Sequence, residues 1–542
     1  MHHSLRIPEI LAYIFQYALQ TSDDGRAVLN LALTCQTFKD PALATLWRSM
    51  DSLVPLVKCL PRDCWEERAR DGGETLYIKR LPTALELAPL QTYARLIRHL
   101  ELCGHHHALT QLDSGVLTAI STVRTDMILP NLLTLRLTEN ARQALDNIYL
   151  LIGEKLTTLS LGFSVIACDE ITGCRLLDTL RTTSPFIEKL EISTGPETSS
   201  SLSSALSELV CGSEHVRTFY SPCIALNAKA LAHLSSLPHL QILGVRVPNS
   251  SSLSLMPSPF LPNSNPNLDP FPDLHEVTVW TEYLSTATEM LRRMQPSLLE
   301  VLVFHIEDTP CTCDVDALFA TMIQHCCATL KRVYGFQDHF TDEDHVARHE
   351  ADFRPLLLFP NLEYVWLNAC ISFAHMDNTL IRDMACAWPH LRELDLGGKS
   401  CWGAASHVTL EGLLQLCEHC PELSSLGLSI DASGSPPSLS PSLPPLPQSR
   451  SGSPTTTIPR NPPENARMEA LQVGNSHIEV GQVAAVARYL RRIYPNLSEL
   501  RCWPDDGNTS VGWLVVRVAW LMVGDIATGE EGGDPMAPYL TQ

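Results

Sequence analysis

Basic residues are in short supply. Lys and Arg number 39 against 60 Asp and Glu, leaving a formal charge of −21. A surface that acidic repels phosphate backbones, so a nucleic-acid partner is not expected. No apolar run reaches membrane length; the longest, 513–523, spans about half a bilayer and contains Arg517. No membrane partner is expected either. The leading MHHSLRIPEI lacks the apolar core and small-residue cleavage site of a secretion signal. The 18 cysteines are therefore expected to be reduced, packed as small apolar side chains in a soluble protein of the cytoplasm or nucleus. Neither H-E-x-x-H nor G-x-S-x-G occurs, so no self-contained enzyme and no cofactor are expected. Glycine (27) is rarer than proline (38), and prolines must sit at helix starts, linkers and loops. What is plentiful is apolar side chain: 45% of 542 residues, enough to build a core.

Those apolar residues repeat. From residue 97 onward the pattern apolar-x-x-apolar-x-apolar returns, as Ile97-Leu100-Leu102, Leu132-Leu135-Leu137 and Leu156-Leu159-Leu161. It continues through Ile187-Leu190-Ile192, a weak Val216-Phe219-Ser221, Leu240-Leu243-Val245, Leu274-Val277-Val279 and Leu298-Val301-Val303. A weak Leu330-Val333-Gly335 precedes Leu362-Val365-Leu367, Leu391-Leu394-Leu396, Leu423-Leu426-Leu428, Met468-Leu471-Val473 and Leu497-Leu500-Cys502. This makes about 14 units with a mean step of about 31 residues. Period-two alternation predicts a short strand in each. The stretches between, such as 316–330 and 409–423, carry helical spacing. A strand plus a helix every 24–35 residues predicts an α/β repeat solenoid of stacked units, a leucine-rich-repeat horseshoe with short parallel strands. A doubly wound α/β enzyme would alternate the same elements, but no strand here ends in a glycine-rich phosphate loop. The repeat region, 97–503, resembles the long, helix-rich class of leucine-rich repeats, including the pre-strand Cys420-Pro421-Glu422-Leu423 and Trp388-Pro389-His390-Leu391.

Two stretches interrupt it. Residues 432–466 hold 10 Pro and 8 Ser without an aromatic and are expected to be a disordered insertion inside the single 45-residue step. Residues 249–273, with 6 Pro and 6 Ser, are expected to form a smaller loop. Residues 504–542 read as a cap and tail.

Residues 1–50 are a different device. Leu5, Ile7, Ile10, Leu11, Ile14, Phe15 and Ala18 recur at helical spacing with Pro8 at the helix start. Polar 21–25 breaks the chain, a second helix carries Val28, Leu29, Ala32, Leu33, Cys35 and Phe38, and Asp40-Pro41 is expected to open a third with Leu43, Leu46 and Trp47. So small a bundle carries more apolar side chain than it can hide, which predicts an interface.

The order I-P-E-I-L-x-x-I-F, then L-T-C-x-x-F, then L-W-R resembles the F-box. Ile7-Pro8-Glu9-Ile10-Leu11 stands near that family's Leu-Pro-x-Glu-Leu, Ile14-Phe15 matches its Ile-Phe, and Cys35 with Phe38 its Cys-x-x-Trp/Phe. Residues 51–96, running on into 97–102, look like the connector of fungal F-box proteins with leucine-rich repeats. The resemblance implies a non-catalytic substrate receptor of a cullin–RING ubiquitin ligase, docked to a Skp-type adaptor through Ile7, Pro8, Ile10, Leu11, Ile14, Phe15, Leu29 and Leu33. It implies that the repeats hold a protein target. A repeat scaffold attached to no ligase is the alternative.

The middle residue of each L-x-L is expected to face outward: Arg136, Ser160, Glu191, Tyr220, Gly244, Thr278, Leu302, Tyr334, Trp366, Asp395, Gly427, Gln472 and Arg501. Tyr334, Tyr364 and Trp366, with acidic Glu393 and Asp395, are the expected target contacts. Cys311-x-Cys313 with His325-Cys326-Cys327 has zinc-ligand types, yet its helical apolar setting reads as buried structural cysteine, as does Cys417-x-x-Cys420. His105–His107 and His339–His345 read as surface loops. Gly398-Lys399-Ser400 fails as a phosphate loop because Glu393 stands where the first glycine is required. Pro444-x-x-Pro447 offers an extended ligand, and Ser435, Ser440 and Ser453 each precede proline as candidate phosphorylation sites.

Overall fold

A strand that turns an apolar residue inward at every second position needs a helix laid across that face. The computed structural model describes residues 7–21, 25–70, 73–102, 111–113, 115–123, 127–137, 147–162, 170–193, 199–247, 270–326, 329–337, 349–368, 371–373, 375–397, 406–438, 464–474 and 476–501. They fall into two compact units, one running to Val247 and taking in 270–274, the other beginning at His275. No helix among them is long and apolar enough to cross a membrane.

The first unit opens with helices α1 (Pro8–Thr21), α2 (Arg26–Thr34) and α3 (Gln36–Arg48). Gly25, in the left-handed region at φ 64°, starts α2, and extended Cys35 separates α2 from α3. The third helix therefore starts at Gln36, earlier than the expected Asp40-Pro41, and Pro41 lies inside it. The earlier start places Phe38 against Phe15, ring centroids 5.5 Å apart and edge-on.

From α3 the chain passes directly into Ser49–Met50, which pairs in parallel with His99–Leu102. The repeat sheet thus begins one strand before residue 97, in a segment too short to show alternation. Thr134–Leu137, Thr158–Leu161, Lys189–Ile192, Thr218–Ala225 and Ile242–Arg246 follow, all parallel. Leu100, Leu135, Leu159, Leu190, Phe219 and Leu243 stand in register and are fully buried. The weak repeat at Val216-Phe219-Ser221 is real: Ser221 is buried because its hydroxyl donates to the Ile224 carbonyl at 3.0 Å. Residues 51–96 contain an antiparallel hairpin, Trp65–Arg70 with Gly73–Ile78, that the sequence pattern did not announce.

In the second unit the parallel strands of the main sheet are Glu276–Thr281, Val301–Ile306, Arg332–Gln337, Tyr364–Asn368, Glu393–Asp395, Ser425–Gly427, Ala470–Gln472 and Glu499–Arg501. Their inward residues in register are Val277, Leu302, Val333, Val365, Leu394, Leu426, Leu471 and Leu500. Helices Leu284–Met294, Thr312–Cys326, Asn378–Ala387, Leu410–His419 and Val483–Ile493 cover that face, and the 3-10 turn Arg354–Leu358 lies between two of the strands.

One repeat is shifted by a residue from its expected phase. Leu299, Leu302 and Phe304 are buried, whereas Leu298 is exposed and Val301 and Val303 are half-buried. Leu302 therefore faces the core, and Val303 takes the outward place. Every residue from Val301 to Phe304 is apolar, so either phase satisfies the pattern locally. A one-residue slip exchanges the two faces.

The expected 249–273 loop lies mostly outside the described residues, but its end is anchored: Phe271 is buried and its N–H donates to the Ser235 carbonyl at 3.0 Å. Both ends of the expected disordered insertion 432–466 are ordered. Ala432 is buried in a two-residue strand paired with Ile478. Asn465, also buried, donates to the carbonyls of Leu423 (2.9 Å) and Cys420 (3.3 Å). The remainder of that insertion, 439–463, and the expected cap and tail, 504–542, lie outside the described residues.

Candidate protein-binding surfaces

Leu11 and Phe15 lie one helical turn apart on α1 and pack with Val28, Ala32 and Ala42 into a small core. Each is only 1% exposed. They were expected to touch an adaptor, and the structure corrects this. Leu11 and Phe15 are the large side chains fully buried in this core, with Leu19, Leu31, Phe38 and Leu46 packed around it, and so small a bundle needs them to hold itself together. The residues expected beside them remain outside. Ile7 just before α1, Pro8, Ile10 and Ile14 on α1, and Leu29 and Leu33 on α2, are all exposed, Leu33 at 78%. Tyr13 (78%) and Tyr17 (67%), which are not among the residues matching the F-box motif, add aromatic surface. The spacing 10, 13, 14, 17 would have found them. At its far end the bundle is tied down, Trp47 stacking on Tyr93 at 4.7 Å.

On the second unit the outward positions of neighbouring strands form two rows. Register places Glu276, Val301, Arg332, Tyr364 and Glu393 in one, and Thr278, Val303, Tyr334, Trp366 and Asp395 in the other. Tyr334 and Trp366 meet edge-on at 5.7 Å, and the Arg332 guanidinium lies 4.7 Å over the Tyr364 ring. Arg392 is hydrogen-bonded to Tyr364 from beyond the strand. Farther along the same sheet face Trp280 and His305 stack at 5.0 Å. Burial pushes the Tyr334 hydroxyl and the Glu276 carboxyl upward, and Arg332 opposes both shifts. Tyr334, Tyr364, Trp366 and Glu393 are thus brought together, half-buried, on one surface.

Asp395 differs from its expected role as an exposed contact. It is 5% exposed and its carboxylate lies over Gly427, where a Cβ would come within 2.5 Å of Oδ1. The absent side chain at Gly427 makes the space that draws Asp395 down onto the sheet.

The zinc-type residues do not converge. Cys311 and Cys313 stand at the start of helix Thr312–Cys326, with His325 and Cys326 at its end, about 20 Å away at 1.5 Å per residue. Cys327 lies outside the described residues. Cys311 is half-buried and Cys313 exposed, joined in a disulfide, against the expectation of buried, reduced thiols. Cys417 and Cys420 are core residues whose thiols burial pushes up to about 12. Ser435 is exposed. His105–His107, His339–His345, Gly398–Ser400, Pro444–Pro447, Ser440 and Ser453 lie outside the described residues.

Parallel strands in register, each backed by a helix or turn from the same repeat, define an α/β repeat solenoid of the leucine-rich type. No family model and no curated protein matches the sequence. Among solved structures the chain is similar to the yeast Rad7–Elc1 complex, at 14% identity over 72% of this chain and 88% of that one, with a TM-score of 0.37. It is also similar to the TLR13–ssRNA13 complex, at 11% identity over 76% of this chain and 60% of that one, TM-score 0.32.

Proposed function

We propose that this chain is the substrate-recognition subunit of a cullin–RING ubiquitin ligase, itself without catalytic activity, working in the cytoplasm or nucleus. Its F-box-like helices dock on a Skp-type adaptor, which joins it to the cullin. One observation carries the reading: the three-helix module fills its own core with Leu11, Phe15 and Val28 and still leaves Ile7, Ile10, Ile14, Leu29 and Leu33 in water. Fully burying such a side chain contributes roughly 1.5–3 kcal/mol. Contiguous apolar surface of this kind is what association covers. The target segment lies across Tyr334, Tyr364, Trp366 and Glu393, where aromatic rings stand between a cation and a carboxylate.

The experiment is co-purification of the full chain with a Skp-type adaptor. Ile14→Asp with Leu33→Asp loses the adaptor while thermal unfolding of the chain is unchanged. Undiminished adaptor recovery by that variant would remove this docking face, and no recovery by the wild-type chain would leave a scaffold unattached to a ligase. Target capture is tested separately with Tyr334→Ala, Trp366→Ala, which keeps the adaptor and loses the target.

A further inference from the structure

At the start of helix Thr312–Cys326 two sulfurs meet across a single residue, Cys311 and Cys313 forming a disulfide. Closing so short a loop removes little chain entropy, so stabilisation is a poor reason for the bond. Its surroundings fit exchange chemistry instead. Cys313 is exposed, and as the second residue of a 15-residue helix it lies at the positive end of the helix dipole. That position favours a thiolate. Cys311 is half-buried; Asp314 Oδ2 lies 3.0 Å from its Sγ and accepts its backbone N–H at 3.3 Å. The two sulfurs therefore have different environments, one open and anion-stabilising, the other shielded beside a carboxylate. By contrast Cys64, Cys326, Cys417 and Cys420 are buried.

We propose that Cys311 and Cys313 are a redox-active dithiol that exchanges with low-molecular-weight disulfides of the glutathione class. In the oxidising direction the Cys313 thiolate attacks one sulfur of the small disulfide. A mixed disulfide forms at Cys313 and one small thiolate leaves. Cys311 then gives up its proton toward Asp314, and its thiolate attacks the Cys313 sulfur. The protein S–S bond forms and the second small thiolate departs. In sum two protein thiols are oxidised and one small disulfide is reduced to two thiols, which take up the two protons released. The reverse sequence begins with a small thiolate attacking exposed Cys313. Asp314 acts as a positioning residue.

The test uses the full chain in buffers of stepped reduced-to-oxidised glutathione ratio, quenched by alkylation and read by peptide mass spectrometry. Cys311 and Cys313 lose their alkyl adducts together as the ratio falls. Cys311→Ser accumulates glutathione on Cys313, whereas Cys313→Ser leaves Cys311 alkylatable. Asp314→Asn shifts the pH profile of ring closure without changing the mixed disulfide formed by Cys311→Ser. Alkylation of both cysteines at every ratio would overturn the proposal, as would a bond that excess glutathione fails to open, or equal glutathione loading of the two single variants. Protection of both reduced thiols by stoichiometric Zn2+ at every ratio would make the pair a metal site and sink the redox assignment.

Discussion

Asn378 and Thr409 exchange two hydrogen bonds between neighbouring repeats. Asn378 Nδ2 donates to Thr409 Oγ1, and the Thr409 backbone N–H donates to Asn378 Oδ1, both at 2.9 Å. Each residue sits at a helix start: Asp377 caps helix Asn378–Ala387, accepting from the Leu380 N–H at 2.8 Å, and Thr409 caps Leu410–His419. The pair fixes the offset of one repeat against the next. Asn378→Ala leaves the Thr409 N–H without its acceptor and is expected to cost about 1–3 kcal/mol. Denaturant unfolding measures it, and a loss indistinguishable from zero would show the pair to be incidental.

The buried and the exposed side of the three-helix module are expected to respond in opposite ways. Phe15→Ala empties the small core shared with Val28 and Phe38 and is expected to cost about 3–5 kcal/mol, more than so small a module can lose. Leu33→Asp, on the exposed side, is expected to change stability by no more than about 0.5 kcal/mol. Hydrogen exchange over residues 7–48 separates them: protection collapses in the first variant and survives in the second.

Gly335 is the gap in one repeat's apolar pattern, and its neighbour fills it. A Cβ there would meet Phe304 at 2.5 Å and Leu367 at 3.2 Å. Gly335→Val is therefore expected to destabilise the second unit by about 1–3 kcal/mol. Shortening the neighbour should restore part of that loss, so the double variant with Phe304→Leu is expected to be less than additive. A strictly additive cycle would mean that the two side chains do not compete for the same space.

An ion cluster in the 51–96 segment sets a pH dependence. Arg80 Nη2 reaches Glu86 and Asp63, each at 2.7 Å, and the Thr83 N–H adds a bond of 2.7 Å to Glu86. The hydrogen bond from Arg80, and then that from Thr83, hold the Glu86 carboxyl at about 2, below its ordinary 4.5. A carboxyl depressed by folding stabilises the protein above its unfolded value, and the contribution disappears as pH falls from about 4.5 toward about 2. The cluster is exposed, so the effect is small. Thermal scans of wild type and Arg80→Met should differ at neutral pH and converge near the acid end; a gap that widens on acidification contradicts the assignment.

The repeat architecture was legible because each strand needs the same answer locally. An inward leucine at Leu135, Leu159, Leu190 or Leu394 is dictated by alternation alone, and the stacking partner has the same sequence grammar. Even the weak members were correctly included. Legibility failed where the chain offered two equal local solutions, as from Val301 to Phe304. It failed again where an element was too short for a period, as at Ser49–Met50. The antiparallel pair Trp65–Arg70 and Gly73–Ile78 was hidden by its charged first strand, which has no apolar alternation to read.

On the helical module the sequence marked which residues are apolar but not which way they turn. A 14-residue helix with apolar positions at 10, 11, 14, 15 and 18 carries more than one apolar face, and only packing against α2 and α3 assigns Leu11 and Phe15 to the inside. The sheet surface followed the same division: alternation placed Tyr334, Tyr364 and Trp366 outward. Register against Gly427, set by a strand some thirty residues away, decided that Asp395 lies down on the sheet. Periodicity is a local property of the chain, so the sequence alone determined the repeating strands and helices and their order. Which of two apolar faces is covered, and which sulfurs meet at Cys311 and Cys313, depends on volumes and distances that exist only once the segments are packed.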